Sequence, residues 1–241
     1  MNKIVSSIDI GTNTITLLIA EIKNSKINDL FQAEYITALG EGLSKNNLIK
    51  LESINRCIKY LTDCKKIIKK YNVEKEFCVA TSALRQAKNN HEVISRIKST
   101  GCLPIIISGN EEAQYIGNIV KHEFPDYINN TLVVDIGGGS TEFISFSNSK
   151  INEFSSINMG SVTLFEKFLS DPLLEDDIKS CNSFIQKQLE NSFLKDKTFD
   201  NIIGVGGTIT SLSAIFNKIY PYNANKIHKS KISINALNFL K

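Results

Sequence analysis

The sequence predicts an α/β fold built twice, each half carrying a mixed sheet, with a cleft between the halves. Three observations predict it. In residues 133–142 an apolar run ends in Asp135, three glycines and two hydroxyls follow, and Glu142 leads into Phe143, Ile144 and Phe146. This reads as strand, tight turn, strand. Residues 7–19 repeat the pattern: setting Asp9 on Asp135, an offset of 135 − 9 = 126, also sets Gly11 on Gly137, Thr14 on Ser140 and Leu18 on Ile144. Third, each copy is followed by another strand-like run, at 26–35 and 150–157, and then by alternating helix and strand patterns.

Taken in order, residues 4–10, 15–23 and 26–35 read as three strands, the last two joined by a turn at Asn24-Ser25. Ser44 or Asn47 is positioned to cap one long helix ending near Tyr71, with Leu51, Ile54, Ile58, Leu61, Ile67 and Ile68 at helical spacing. Lys65, Lys66, Lys69 and Lys70 in its last turns suit the dipole and a solvated face. A short strand at 77–80, a helix at 92–99 and an apolar strand at 103–107 follow. Ser108-Gly109-Asn110 then caps a helix opening with Glu111 and Glu112, which Phe124-Pro125 ends. The second half starts with strand 131–136. Helices are expected at 162–169 and 175–193, broken by Asp171-Pro172, and a last one at 234–241. Strand 202–205 runs into the Gly206-Gly207-Thr208 helix start. The domain boundary is expected inside the Glu112 helix, giving domains 1–116 and 117–241.

The glycine turns carry chemistry. Glycine lets backbone approach an anion closely, and a cradle of N–H groups holds phosphate. The candidate phosphate-binding residues are Gly11, Thr12, Asn13 and Thr14 in the first turn and Gly137, Gly138, Gly139, Ser140 and Thr141 in the second. Gly206, Gly207 and Thr208 join them, because a helix N-terminus presents free amides and a positive dipole end. Asp135 and Glu142 bracket the second turn and are candidate ligands for a divalent cation such as Mg²⁺, with Asp9 as the symmetric third.

Composition sets bounds. Hydrophobic content of 42% and charged content of 22% are those of a globular protein. The net charge of +3 argues against duplex nucleic-acid binding, which needs a clustered basic face. No apolar run is long enough to span a bilayer, and the start shows no signal-peptide pattern, so the expected place is the cytoplasm with no membrane partner. The five cysteines form no CxxC pair and read as reduced thiols, and the three histidines are scattered.

Together these motifs resemble the exopolyphosphatase / guanosine pentaphosphate phosphatase (Ppx/GppA) family of the actin/Hsp70/sugar-kinase superfamily. The two glycine hairpins indicate the superfamily. The segments Ala80-Thr81-Ser82-Ala83-Leu84-Arg85 and Ser108-Gly109-Asn110-Glu111-Glu112-Ala113 make the resemblance specific, with Gly40-Glu41-Gly42-Leu43 and 204–208 in support. The resemblance implies two ribonuclease-H-like domains around the cleft. It implies a Mg²⁺-assisted phosphohydrolase acting on polyphosphate or pppGpp, with Glu112 as general base and Arg85 as cationic phosphate contact. Glu111 is left to helix capping or solvent. Polyphosphate is the favoured substrate, because no residue set specifies a guanine pocket. A non-catalytic nucleotide- or polyphosphate-binding member and a superfamily kinase are the alternatives, and a homodimer is compatible. His228 with Lys226, Lys229 and Lys231 is a candidate for holding a polyanionic tail. Two departures stand out: Thr163 replaces the family's usual arginine, and the family continues beyond the His228 region, so the resemblance implies either a truncated form or an incomplete second domain.

Overall fold

The computed structural model describes residues 3–24 and 26–239, without the side chains of Ala236 and Phe239. Two lobes follow one plan. In the first, β1 (Lys3–Ile10), β2 (Thr14–Lys23) and β3 (Lys26–Ile36) form an antiparallel meander, and β4 (Lys75–Ala80) and β5 (Ile105–Ile106) add in parallel, in the order β3-β2-β1-β4-β5. In the second, β6 (Thr131–Ile136), β7 (Thr141–Ser147) and β8 (Lys150–Ile157) repeat the meander and β9 (Asn201–Val205) adds in parallel, in the order β8-β7-β6-β9. Even the irregularities repeat. The β2–β3 register shifts at Ile19 and the β7–β8 register at Ser145, and 145 − 19 = 126 is the offset of the hairpins. The predicted α/β duplication with mixed sheets is therefore the observed fold.

The helices interleave with the strands: α1 (Leu43–Asn46), α2 (Leu51–Lys70), α3 (Ser82–Gln86), α4 (Asn90–Lys98), α5 (Gly109–Glu123), α6 (Ser161–Phe168), α7 (Glu175–Glu190), α8 (Gly206–Phe216), α9 (Ala224–Ile227) and α10 (Ile234–Phe239). The single long helix expected from Ser44 or Asn47 is two, because Asn47 takes a left-handed conformation (φ 58°) and closes α1. The expected strand 103–107 shrinks to two residues, with Leu103 and Ile105 exposed at the sheet edge. The Asn24-Ser25 turn is consistent with the pairing of Lys23 and Lys26, although Ser25 lies outside the described residues. Leu240 and Lys241 of the expected last helix also lie outside them. No described helix is long and apolar enough to cross a membrane, and all five cysteines are free.

Packing differs between the lobes. In the first, α2 and α4 cover one sheet face, where Ile8, Ile10, Leu17, Ile54, Leu61 and Ile97 are buried together. The opposite face, with Ser7 and Asp9, meets solvent. The second sheet is covered on both faces. Ala113 and Val120 of α5 pack with Val133, Ile144 and Phe146 on one side, and Leu132, Phe143 and Met159 lie against Leu164 and Phe184 on the other. Ala113, near the start of α5, already belongs to this second core. We therefore propose a domain division at Ser108 rather than inside α5, so that Glu112 sits on the second lobe.

Candidate active site

The two glycine hairpins have one construction. Gly11 N–H donates to Thr14 O at 2.9 Å, and Gly137 N–H donates to Ser140 O at 3.0 Å. These two amides close the turns, so what Gly11 and Gly137 offer at the turns is close backbone approach rather than a free N–H. The turn carbonyls are held from behind. Thr12 O accepts from Gly40 N (2.8 Å) and Asn13 O from Thr37 N and Ala38 N (both 2.9 Å). Gly137 O accepts from Ser161 N (2.9 Å) and Gly138 O from Val162 N (2.9 Å), at the N-terminus of α6. In a trans peptide the carbonyl and the next N–H point opposite ways. Fixing these carbonyls therefore turns the amides of Asn13, Gly138 and Gly139 away from the holding elements, and among the described residues those amides have no partner.

The hydroxyls divide. Thr12 Oγ1 is buried without a hydrogen-bond partner among the described residues, and the Ser140 hydroxyl lies near enough to Glu142 to lower its pKa. Thr141 Oγ1 donates to the Met159 carbonyl at 2.5 Å. It braces the hairpin from the side facing α6. Thr14 and Asn13 lie at the first turn, Asn13 exposed. Gly206 opens α8 with φ +84°, and a β-carbon there would collide with Asp135 Oδ1. Glycine at 206 thus lets the α8 N-terminus reach the acid, with Gly207 in open space and Thr208 next in the first turn.

Four carboxylates converge on these turns. Asp135 stands directly opposite Glu142 across β6–β7, whereas Asp9 stands opposite Thr16 across β1–β2. Glu142 is 1% exposed, and Ser156 Oγ donates to it at 2.6 Å. Burial pushes Glu142 up to about 7, with the nearby Glu112 charge adding to the shift and the Ser156 and Ser140 hydroxyls opposing it. Burial also raises Asp135 to about 6, again with Glu112 contributing. Asp9 is open to solvent on its free side, yet protein from both lobes crowds it, and with Glu112 and Asp135 nearby it too rises to about 6.

Glu112 sits in the first turn of α5, which Ser108 and Glu111 close as a capping box. Glu111 Oε2 accepts from Ser108 N and Oγ, both at 2.8 Å, so that acid is committed to the cap. Arg85 Nη1 donates to Glu112 Oε2 at 3.1 Å and to Ile107 O at 2.9 Å. Burial raises Glu112 above the ordinary range, and Arg85 opposes that rise. Arg85 Nη2 is buried with no acceptor among the described residues. An orphaned guanidinium nitrogen and an orphaned hydroxyl at one cleft fit a missing anionic partner.

The cleft is closed. A β-carbon at Gly139 would lie 2.5 Å from Thr12 Oγ1 and 2.7 Å from Ser82 Oγ, so the second hairpin rests on the first lobe. Among the described residues no three acidic, cysteine or histidine side chains form a ready-made metal cage. Mg²⁺ does not need one, since it keeps waters and binds one or two carboxylates together with substrate phosphates. Asp135, Glu142 and Asp9 fit that requirement.

Other sequence candidates lie elsewhere. His228 and Lys229 pair with Glu123 at the far end of α5 (3.6 and 3.3 Å). They are about 16 Å of helix from Glu112 and do not reach the hairpins. Lys65 and Lys66 pair with Glu76 and Asp63. Thr163 Oγ1 accepts from Gly160 N at 2.8 Å, so the residue replacing the family's arginine caps α6. Sequence reasoning missed Ser156, whose only trace is its place beside Glu142 in the register of β7 and β8.

Comparison with known proteins gives consistent matches. A model of the Ppx/GppA phosphatase family matches residues 18–241. A bifunctional 3-dehydroquinate synthase/phosphatase of Fusobacterium nucleatum is 36% identical over 97% of this chain, and the chain spans 37% of that protein's length. Exopolyphosphatase 2 of Mycobacterium tuberculosis is 29% identical over 95% of the chain and 75% of its own length. A solved structure of the PPX-GPPA enzyme of Aquifex aeolicus superposes with a TM-score of 0.82 at 33% identity, covering all of this chain and 80% of that one.

Proposed function

The chain belongs to the Ppx/GppA phosphatase family, and on that premise we propose that it is a phosphohydrolase that releases the terminal phosphate of inorganic polyphosphate. The observation that carries this reading is the Arg85–Glu112 pair. A half-buried carboxylate with raised basicity is held by one guanidinium nitrogen, while the other nitrogen is left for an anion.

In this reading the amides of Asn13, Gly138 and Gly139, the Thr12 hydroxyl and the α8 N-terminus position the phosphates. Arg85 Nη2 contacts a non-bridging oxygen of the phosphoryl group that is transferred. Glu112 accepts a proton from the attacking water as its oxygen bonds to the terminal phosphorus and the bridging P–O bond breaks. Bound Mg²⁺, held by Asp135 and Glu142 with Asp9 in support, supplies charge neutralisation on the phosphoryl oxygens.

Polyphosphate is favoured over pppGpp because the residues gathered at the hairpins include no aromatic ring on which a base would stack. The name of the mycobacterial relative adds support. The test is phosphate release from short polyphosphate, long polyphosphate, pppGpp and ATP at two salt concentrations. The expected result is a higher kcat/KM for polyphosphate that weakens with salt. A preference for pppGpp that persists at high salt overturns the substrate reading, and no release from any of the four overturns the hydrolase.

A further inference from the structure

Glu166 lies on α6, which is in the second lobe, and its carboxylate reaches into the first. Oε1 accepts from Gly42 N–H at 2.6 Å and Oε2 from Ser44 Oγ at 2.6 Å. Both donors sit at the start of α1, where Gly42 turns with φ +76°. The carboxylate thus spans two donors of the opposite lobe with charge-assisted bonds. The loop's own acid does not compete: Glu41 is held within its lobe by Lys50 (2.8 Å) and Arg56 (3.1 Å).

Both ends of this contact lead to a phosphate hairpin. On the first lobe, Leu43 N donates to Gly40 O at 3.0 Å, and Gly40 N donates to the Thr12 carbonyl. On the second, the N-terminal amides of α6 hold the Gly137 and Gly138 carbonyls. The same short helix therefore orients one hairpin and grips the loop that orients the other. Between the two grips, Gly139 is pressed against Thr12 and Ser82. The two lobes thus meet directly between the hairpins.

We propose that Glu166 is a positioning residue, an interlobe clasp whose bonds to Gly42 and Ser44 set the balance between the closed and open cleft. Glu166 touches no reacting atom. Releasing it opens the path for substrate, and remaking it brings the two hairpins and the Arg85–Glu112 pair to working distance. The clasp rests on geometry alone; only its kinetic consequence rests on the phosphohydrolase reading.

The test compares Glu166→Ala, Glu166→Gln and Ser44→Ala with the unmodified chain. Small-angle scattering of ligand-free protein is expected to show a larger radius of gyration for Glu166→Ala. Amide exchange at 42–46 should accelerate while exchange in the β1 and β2 amides stays slow, which separates opening from unfolding. Glu166→Gln keeps an acceptor for Gly42 and a donor for the Ser44 oxygen, so it should recover much of the closed form. Ser44→Ala should fall between. In phosphate release, Glu166→Ala should lower kcat roughly tenfold to a hundredfold, the scale of a lost charge-assisted bond, with a smaller change in KM. Unchanged scattering together with unchanged exchange at 42–46 in Glu166→Ala overturns the clasp, whatever the activity. Scattering and exchange that change as expected without any phosphate release in the unmodified chain leave the clasp standing and sink the hydrolase reading instead.

Discussion

The two lobes share the order of their first four strands, hairpin hydrogen bonds and a register shift at equivalent positions, yet they differ in how many acids they bring to the turns and in how their sheets are covered. The difference begins with α5. This helix lies over the β6–β7 face that carries Asp135 and Glu142, and it brings Glu112 with it. The matching face of β1–β2, with Ser7 and Asp9, has no such cover among the described residues. Burial along the strands shows the consequence. β2 alternates between buried and half-buried positions, whereas β7 is buried from Thr141 through Phe146. Of the pairs flanking each turn, the first-lobe counterpart of the acid Glu142 is Thr16, and that of Thr141 is Ile15. A duplicated scaffold has thus divided its labour. With the division placed at Ser108, the second lobe carries three of the four acids, and the first carries Asp9 and Arg85.

The largest expected effect comes from neutralising Glu112, the acid that Arg85 of the first lobe holds. Glu112→Gln keeps the shape and the Arg85 contact but removes the proton acceptor. Phosphate release should fall about 10²–10⁴-fold while polyphosphate still binds, as measured by competition in a binding assay. Near-normal release by the variant would move the base elsewhere and undo the assignment of chemistry to the second lobe.

A second comparison ranks the symmetric acids. Asp135 has the acid Glu142 opposite it across the strands and the α8 N-terminus beside it, while the residue opposite Asp9 is the neutral Thr16. Asp135→Asn should therefore raise the Mg²⁺ concentration for half-maximal activity roughly 10–100-fold, and Asp9→Asn should raise it less. Equal shifts would mean that the lobes share the ion evenly and that the asymmetry drawn here is one of burial only.

Much of this was legible in the sequence because its causes are local. An acid, a glycine turn and a hydroxyl specify a hairpin in ten residues, and Ser108 with Glu111 specifies a helix cap in four. What was not legible depends on packing. That the Gly11 and Gly137 amides close their own turns, and that the Thr141 hydroxyl donates to the Met159 carbonyl, appears only in the folded chain. The break at Asn47 hid inside an apolar period that continues on both sides of it. Glu166 is one charge in an amphipathic helix, and its partners lie 124 and 122 residues away. No local pattern carries that information.

The smallest expected effect concerns stability, and it isolates the residue at which the lobes differ. Glu142 ionises near pH 7 in the fold, against an ordinary carboxylate value of 4.5. Its charged form is therefore disfavoured by folding. Below the ordinary value both folded and unfolded chains hold the proton, and Glu142 costs nothing. As pH rises from about 4.5 to 7 the unfolded chain loses the proton first, so stability falls across that window and stays low above it. Asp135 and Asp9, raised to about 6, act in the same direction. Glu142→Gln removes the charge while leaving an oxygen for Ser156. In Mg²⁺-free buffer at pH 8 the variant should be the more stable protein by on the order of 2 kcal/mol, a Tm gain of about 5 °C, and at pH 4.5 the gap should close. Thermal melts at the two pH values check this. A variant that melts lower than the unmodified chain at pH 8 would show that the Ser156 and Ser140 bonds outweigh burial, and that the acid in the second hairpin supports its lobe rather than straining it.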